Sequence, residues 1–317
     1  MRWALALGGG ALKGAAHIGV ISVLEEAGLE PDIYTGTSVG SLVAAMAAGG
    51  ARAADMARHA ADLSTEILFD ARQNALSLAY IGTRTMFEAL GVESRLLRPT
   101  PNGIAPGLRL EEWIRERLPQ RDPDRLRRPA IAVAADLQSG AAVLLGSARV
   151  LPVAPPPAVV SLPVRDMAAA VRASSSIPWL YAPKRIGGRM LVDGAVVSPV
   201  PVQAARLAGA DVVVAVDLGY DNDQPQEVRG IARVLNRTLD VATRRLCELQ
   251  LKLYADLVIR PEIGRVDLTD FHLIPELIER GRAAARQALP ALLALLEGAR
   301  PAAEAGAPPA EEAGTAG

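Results

Sequence analysis

The segment Gly36-Thr37-Ser38-Val39-Gly40 is the part of this 317-residue chain best suited to carry out chemistry. Apolar residues before it predict a strand that ends near Tyr34-Thr35, and a helical pattern follows it. One face of that helix carries Val39, Leu42, Val43, Met46 and Ala47. A sharp strand-to-helix turn exposes a serine hydroxyl, and flanking glycines remove side chains that would clash there. The segment therefore predicts Ser38 as an acyl-transfer nucleophile, the alternative being a chance match in a glycine-rich chain.

A second glycine-rich segment, Gly8–Gly14, lies between a predicted buried strand over Trp3–Leu7 and a predicted helix over Ala15–Ala27. Bare backbone amides at such a place bind an oxyanion or a phosphate. A dinucleotide site would need an acidic residue at the end of the second strand, and none is present. A phosphate loop would need Ser or Thr after Lys13, where Gly14 stands. The segment indicates an oxyanion hole, a nucleotide loop or a plain tight turn.

A nucleophilic serine needs a base, and the residues leave two arrangements open. His272 could complete the Ser-Asp-His order of an α/β-hydrolase. The serine of such a fold normally follows several strands, however, and Ser38 follows only two predicted strands. Alternatively, a carboxylate takes the proton directly. Three aspartates end predicted strands: Asp136, Asp193 and Asp217. The pattern itself does not choose among the three, and His59 lies in a charged helical stretch typical of a surface.

The order of elements predicts the fold class. The first fifty residues follow a β-α-β-α pattern, which implies a parallel sheet. Further strands are predicted over residues 130–135, 141–145, 190–192, 211–217 and 256–259, and further helices over 167–173, 231–253 and 275–296. We expect Pro290 to interrupt the last helix, and the Pro-rich residues 147–165 to form an irregular loop. The prediction is one domain over residues 1–299 and a disordered tail over 300–317.

The composition of the chain argues against several classes of partner and site. The chain has 34 basic and 35 acidic residues, a balance that does not predict a nucleic-acid partner. A single cysteine, Cys247, permits no intramolecular disulfide, and three scattered histidines do not suggest a zinc site. No apolar run reaches the roughly 18 residues of a spanning helix. We expect a cytoplasmic protein, at most peripheral at a membrane, with residues 150–163 and Ile67–Ile81 as candidate contacts.

Three separated blocks, taken together, resemble the patatin-like phospholipase family, especially its bacterial members. The blocks are Gly8–Gly14 continuing into His17-Ile18-Gly19-Val20, Gly36–Gly40, and Leu191–Ala195 running on to Pro199-Val200-Pro201. Two further segments are also similar to the family, Arg172–Pro178 and Asp136-Leu137 with Ser139-Gly140. The resemblance covers roughly residues 3 to 280, and the joint occurrence is more specific than any single motif.

The resemblance implies a three-layer α/β/α fold with a central, mostly parallel sheet. It implies a Ser–Asp dyad of Ser38 and Asp193 that deacylates phospholipids or related acyl esters, with no metal or cofactor. Its oxyanion hole would use the amides of Gly9, Gly10 and Ala11. Supporting residues would be Lys13, Gly14, Gly36, Gly40 and Gly194, with a structural role for His17. The alternative is a non-catalytic lipid- or nucleotide-binding α/β protein.

The chain departs from the family pattern in three places. Lys13 stands where arginine is commoner, and Asp193-Gly194-Ala195 replaces the more frequent Asp-Gly-Gly. The Pro-rich stretch at 150–163 has no recognised counterpart.

Overall fold

The computed structural model describes residues 1–69, 103, 105–219 and 231–298. The predicted tail over 300–317 and residues 70–81 of one apolar segment lie outside the described residues.

A nine-stranded sheet forms the centre of the protein. Its strands are β1 Trp3–Leu7, β2 Ile33–Thr37, β3 Ala130–Asp136, β4 Ala142–Gly146, β5 Val159–Pro163, β6 Lys184–Ile186, β7 Arg189–Asp193, β8 Val212–Val216 and β9 Leu257–Ile259. Their order is β5-β4-β3-β2-β1-β8-β9, with the hairpin β6–β7 joined to β3. Strands β3, β2, β1, β8 and β9 run parallel, β4 and β7 run antiparallel to β3, and β5 runs parallel to β4. The mostly parallel sheet confirms the predicted α/β class.

Helices cover both faces of the sheet. Those of the described residues are α1 Ala15–Glu26, α2 Val39–Ala48, α3 Ala53–Ala61, α4 Thr65–Phe69, α5 Leu108–Arg117, α6 Met167–Ser174, α7 Val202–Leu207, α8 Ile231–Tyr254 and α9 Ile274–Leu296. Among them, none is long and apolar enough to span a bilayer.

Two apolar cores lie on opposite faces of the sheet, because successive side chains of a strand alternate in direction. Leu5 and Leu7 point toward helices α1, α2, α3, α5, α6 and α9. Ala4 and Ala6 point toward α7 and toward the part of α8 that carries Cys247 and Leu251. This is the three-layer arrangement that the resemblance implied.

The structure corrects two predictions about proline. Residues 147–165 are not wholly irregular, because Val159–Pro163 forms the edge strand β5, parallel to β4. An edge strand tolerates proline since one side needs no partner. Helix α9 also continues through Pro290. That proline is exposed, so water can bind the helical carbonyl that loses its donor.

Helix α8 buries a different face from the one its pattern indicated. The predicted face contained Ile231, Leu235, Ala242, Leu246, Leu249 and Leu253. In the structure Cys247 and Leu251 are buried, whereas Leu249 and Leu253 are 61% and 71% exposed. Strand β6 and helix α7 were not predicted, since three and six residues are too few to set up a periodic pattern.

Candidate active site

Ser38 occupies the strained turn between β2 and α2. Its backbone angles are φ 54° and ψ −128°, a region that few residues other than glycine adopt. The flanking glycines permit the turn: a Cβ on Gly36 would lie 2.3 Å from the Gly40 carbonyl oxygen, and one on Gly40 would lie 2.1 Å from the Leu7 carbonyl oxygen. Ser41 fixes the turn further, because its hydroxyl donates a 2.6 Å hydrogen bond to the Ser38 carbonyl.

Asp193 reaches Ser38 because β2 and β7 lie end to end along one edge of β3. Thr37 of β2 is opposite Val133, and Asp193 of β7 is opposite Ala134. Strand β4 pairs with the other edge of β3. The two strands therefore point at each other, and the residue after Thr37 faces Asp193. Gly194 allows the close approach, since a Cβ there would lie 2.1 Å from the Val133 carbonyl oxygen.

The Ser38 hydroxyl lies close enough to the Asp193 carboxylate for hydrogen bonding to favour the ionised form and so to lower the pKa of that carboxyl. The carboxylate also accepts a 2.9 Å hydrogen bond from the Ala195 amide. Burial raises the pKa of Asp193 to about 6, and these two hydrogen bonds only partly oppose the increase. A carboxylate with such a pKa is ionised at neutral pH yet basic enough to take a proton from a hydroxyl.

The glycine-rich loop after β1 lies against the serine. A Cβ on Gly9 would come within 3.4 Å of the Ser38 Cβ. The amide of Gly9 donates a 3.0 Å hydrogen bond to the Pro199 carbonyl, so it is not available as an oxyanion donor in this conformation. The amides of Gly10 and Ala11 have no acceptor among the described residues. Ala11 takes a φ of 49°, so the loop is bent sharply at this point.

His17 holds this loop from the protein interior. Its Nε2 lies 2.8 Å from the Gly8 carbonyl oxygen and donates a hydrogen bond to it. Burial lowers the pKa of His17 to about 4, against the opposing effects of that hydrogen bond and of Asp217. The ring is therefore neutral at neutral pH. This is the structural role that the resemblance implied, and it fixes the path of the backbone that leads to Gly9.

Ser174 connects the turn at Ser38 with β3. Its buried hydroxyl accepts a 2.9 Å hydrogen bond from the Ser38 amide and donates a 2.6 Å hydrogen bond to the Val133 carbonyl. Two residues later, the Ser176 carbonyl accepts a 2.9 Å hydrogen bond from the Asp193 amide. The end of α6 thus positions the backbones of Ser38 and Asp193 together.

An apolar pocket opens beside Ser38, with a volume of about 120 Å³. Helices α1, α2, α3 and α5 and the segment 175–181 form its walls. Side chains deep in these walls include Leu42, Met46, Met56, Leu110, Trp113 and Tyr181. Polar groups are scarce in the lining. An engineered apolar cavity of roughly 150 Å³ holds benzene, so this pocket accommodates part of a hydrocarbon chain.

A family model described as patatin-like phospholipase matches residues 5–206, almost two thirds of the chain. The chain belongs to the patatin-like phospholipase family. The match contains Ser38, Asp193 and both glycine segments.

Curated relatives agree with this assignment. An uncharacterised NTE-family protein of Mycobacterium tuberculosis is 29% identical over 71% of this chain and 51% of its own length. Human patatin-like phospholipase domain-containing protein 6 is 28% identical over 69% of this chain and 14% of its own length. The uncharacterised protein YqhO of Bacillus subtilis is 28% identical over 86% of this chain and 93% of its own length. This patatin-like chain thus spans about half the length of the mycobacterial relative.

Solved structures also align with this chain. VipD from Legionella pneumophila has a TM-score of 0.47 at 16% identity, over 92% of this chain and 67% of that one. Human GIVD cytosolic phospholipase A2, in complex with methyl gamma-linolenyl fluorophosphonate, has a TM-score of 0.43 at 11% identity, over 94% and 58%. The family assignment rests on the match over residues 5–206.

The other candidate bases of this patatin-like protein have different surroundings. Asp136 accepts hydrogen bonds from Arg189 at 2.7 Å and Ser139 at 2.8 Å, so it fastens the β3–β4 turn. Asp217 pairs with Arg260 at 3.1 Å. His272 is exposed in a short 3₁₀ helix, outside the pocket lining. Asp136 thus has Arg189 and Ser139 as its partners, whereas Asp193 faces the Ser38 hydroxyl.

Lys13, Gly14, His59 and Ser174 also lie at or near the site. Lys13 is buried in the 3₁₀ helix Ala11–Gly14, and a Cβ on Gly14 would lie 2.3 Å from a methyl group of Val39. His59 is half-buried in the pocket wall rather than on the surface. Ser174 had no predicted role, because its contact with Ser38 joins residues 136 positions apart. Within the described residues, no group of three His, Cys, Asp or Glu side chains could hold a metal ion.

Proposed function

We propose that this patatin-like protein is a serine acyl hydrolase that cleaves lipid acyl esters of the phospholipase or lysophospholipase type. The observation that carries the proposal is the close approach of the Ser38 hydroxyl to the buried Asp193 carboxylate, beside an apolar pocket. The proposed nucleophile, the proposed base and a space for a hydrocarbon chain therefore lie close together.

In the first half-reaction, Asp193 takes the proton of Ser38 as Oγ attacks the ester carbonyl carbon. The carbonyl π electrons move to oxygen and give a tetrahedral oxyanion. Collapse of this intermediate breaks the bond to the alcohol oxygen, which receives the proton from Asp193 and leaves. In the second half-reaction, Asp193 deprotonates water, which attacks the acyl-Ser38 ester. Collapse releases the fatty acid and returns the proton to Ser38.

The amides of Gly10 and Ala11 are the proposed oxyanion donors, together with the first turn of α2. Gly9 is withdrawn from this role because Pro199 already accepts its amide hydrogen. Its contribution is steric: the missing side chain leaves room beside the Ser38 Cβ. The N-terminus of α2 adds a positive partial charge at the same place. Losing one such donor raises the barrier by about 3 kcal/mol.

The pocket is the proposed site for the acyl chain. Its lining is almost wholly apolar, so it favours hydrocarbon over a charged head group. The ester carbonyl would lie at Ser38, with the head group outside and the chain between α2 and α5. This arrangement requires the protein to approach a lipid surface from outside, as a peripheral contact.

Variants of four residues test the proposal in purified full-length protein with a water-soluble acyl ester and a phospholipid. Ser38→Ala is expected to abolish hydrolysis, and Asp193→Asn to reduce turnover by at least about 100-fold, since a general base contributes that much. Ser22→Ala and Asp136→Asn are the matched controls and keep most of the activity. Hydrolysis by Ser38→Ala at the wild-type rate would end the proposal.

Two further outcomes separate this mechanism from its rivals. His272→Ala is expected to leave the rate unchanged, and a collapse of activity with an intact fold would favour a histidine triad instead. Liquid-chromatography mass spectrometry of a lipid extract, treated with wild type or Asp193→Asn, identifies the released fatty acid and the remaining lipid. Absence of any acyl product, with lipid still bound, would indicate a non-catalytic lipid binder.

A further inference from the structure

The loop between α6 and β6 holds a tryptophan out in solvent. Trp179 is 53% exposed, whereas the chain's other two tryptophans, Trp3 and Trp113, are 7% and 6% exposed. Its φ is 63°, a conformation that bulky residues rarely adopt. Strained backbone persists only where the surrounding structure imposes it. Contacts of the loop must therefore hold the backbone of Trp179 in this conformation.

The surrounding contacts impose that conformation. The Leu180 carbonyl accepts a 2.8 Å hydrogen bond from the Ala105 amide, and the Ala105 carbonyl accepts one of 2.9 Å from the Ala182 amide. The guanidinium of Arg172 lies 4.8 Å from the ring centroid of Tyr181. The backbone of the loop is thus fastened just after Trp179.

Trp179 lies next in the chain to residues that line the apolar pocket. Its neighbours Ile177, Leu180 and Tyr181 line the pocket, and Trp179 itself is not among the lining residues. The adjoining segment carries a second exposed apolar residue, Leu108, which is 66% exposed at the first position of α5. Two large apolar side chains therefore face solvent on the segments that border the pocket.

The charges of the same two segments have one sign. Residues 105–110 and 175–190 contain four basic residues, Arg109, Lys184, Arg185 and Arg189, and no acidic residue. Glu111 pairs with Lys184, and Asp136 pairs with Arg189. Arg185 is exposed, and Arg109 lies 3.9 Å from the exposed Glu66. An exposed indole on a segment that carries basic and no acidic residues complements a bilayer surface with anionic head groups.

We propose that Trp179, with Leu108, is the anchor by which this protein docks on an anionic phospholipid bilayer and brings the pocket to the lipid. The inference rests on the proposed function, since it places the docking surface beside the pocket proposed for the acyl chain. Docking would transfer the indole from water to the interfacial region, which favours tryptophan. The chain could then pass directly from the bilayer to Ser38.

Intrinsic fluorescence tests the docking without any catalysis. Because Trp3 and Trp113 are buried, the emission of Trp179 should dominate the response to added vesicles. With vesicles of phosphatidylcholine and phosphatidylglycerol, we expect a blue shift, and quenching by brominated phospholipid. Trp179→Ser should abolish both responses and weaken cosedimentation by at least about tenfold, a change of about 1.4 kcal/mol. Trp179→Phe should restore most of the binding.

A second variant controls for exposed apolar surface in general. Leu253 is 71% exposed near the end of α8. The adjacent Tyr254 carbonyl accepts a hydrogen bond from Arg206, which also binds the Asp211 carbonyl before β8. Leu253 is therefore at the opposite end of the sheet from Ser38. Leu253→Ser is expected to bind vesicles like wild type, and an equal loss in both serine variants would overturn the proposal.

Activity measurements separate the docking proposal from the proposed function. Trp179→Ser should hydrolyse a water-soluble ester at the wild-type rate but vesicle phospholipid at least about tenfold more slowly. Equal rates on vesicles would overturn the docking proposal, as would conversion of a dimer to a monomer by Trp179→Ser with vesicle binding unchanged. If wild type hydrolyses neither substrate, the proposed function fails, while the fluorescence shift still decides whether Trp179 docks.

Discussion

Asparagine at position 193 should stabilise the fold at neutral pH while removing the proposed base. Burial raises the pKa of Asp193 from 3.8 to about 6, so the folded protein keeps an unfavourable charge above that pH. At about 1.4 kcal/mol per pKa unit, the difference corresponds to about 3 kcal/mol. Asparagine has nearly the same shape and can still accept the Ala195 amide hydrogen, but it has no charge to bury.

The sign of the pH dependence follows from proton linkage. Between the unfolded pKa of 3.8 and the folded pKa of about 6, the folded state binds more protons than the unfolded state. The contribution of Asp193 to the stability of wild type therefore decreases as pH rises through this interval. Above about pH 6 the full penalty of about 3 kcal/mol is present. Below the unfolded pKa it disappears.

Urea unfolding of wild type and Asp193→Asn at a series of pH values measures this directly. The free energy of unfolding of the variant, relative to wild type, should increase by up to about 3 kcal/mol between about pH 4 and pH 8. Taking the difference between two proteins cancels the titration of all other groups. A difference that stays flat across this range would refute a raised pKa for Asp193. So would one that falls with pH.

Three other substitutions, one of them with a matched control, give sharp expectations. Ser174→Ala leaves the buried Ser38 amide without its acceptor, so we expect a loss of about 1–3 kcal/mol in urea unfolding and slower hydrolysis of a soluble ester. Gly19→Ala would place a Cβ 2.0 Å from the Ile278 carbonyl and force α1 from α9, lowering the thermal unfolding midpoint by the equivalent of about 1–3 kcal/mol. Gly28→Asn is its control, since that glycine has positive φ and open space around it, and its midpoint should barely change. Met46→Trp should fill the pocket, so relative rates on an ester series should shift toward short acyl chains; an unchanged chain-length profile would place the acyl chain elsewhere.

The first fifty residues were predictable because local chemistry determines their structure. The apolar run Trp3–Leu7 became β1 with identical bounds, and the helix expected over Ala15–Ala27 became α1, which ends at Glu26. Gly28 takes the positive φ expected after a helix. In these elements, periodicity and turn residues agree with the final packing.

Long-range contacts were not predictable from the pattern. Helix α8 contains two apolar faces, and only the tertiary structure decides that Cys247 and Leu251 pack on the sheet. Strand β5 follows three consecutive prolines, which predicted irregular structure as far as residue 165. Pairing with β4 nevertheless orders Val159–Pro163 as a strand.

The candidate active site likewise combines a residue that the local sequence indicates with one whose position depends on long-range contacts. Spacing and glycines identify Ser38, but the position of Asp193 beside it depends on how β2 and β7 align on β3. The residues alone left three aspartates open, and the resemblance to the family chose among them. The use of the Gly9 amide by Pro199 joins residues far apart in the chain, so no local signal could have indicated it.

Covalent trapping of the nucleophile tests the central claim most directly. Wild type, Ser38→Ala and Asp193→Asn are each treated with an alkyl fluorophosphonate, and the modified peptide is identified by mass spectrometry. One adduct is expected, on Ser38, and it should form more slowly in Asp193→Asn and, in wild type, more slowly below about pH 6. An adduct on a different serine, or none on folded wild type, would contradict it.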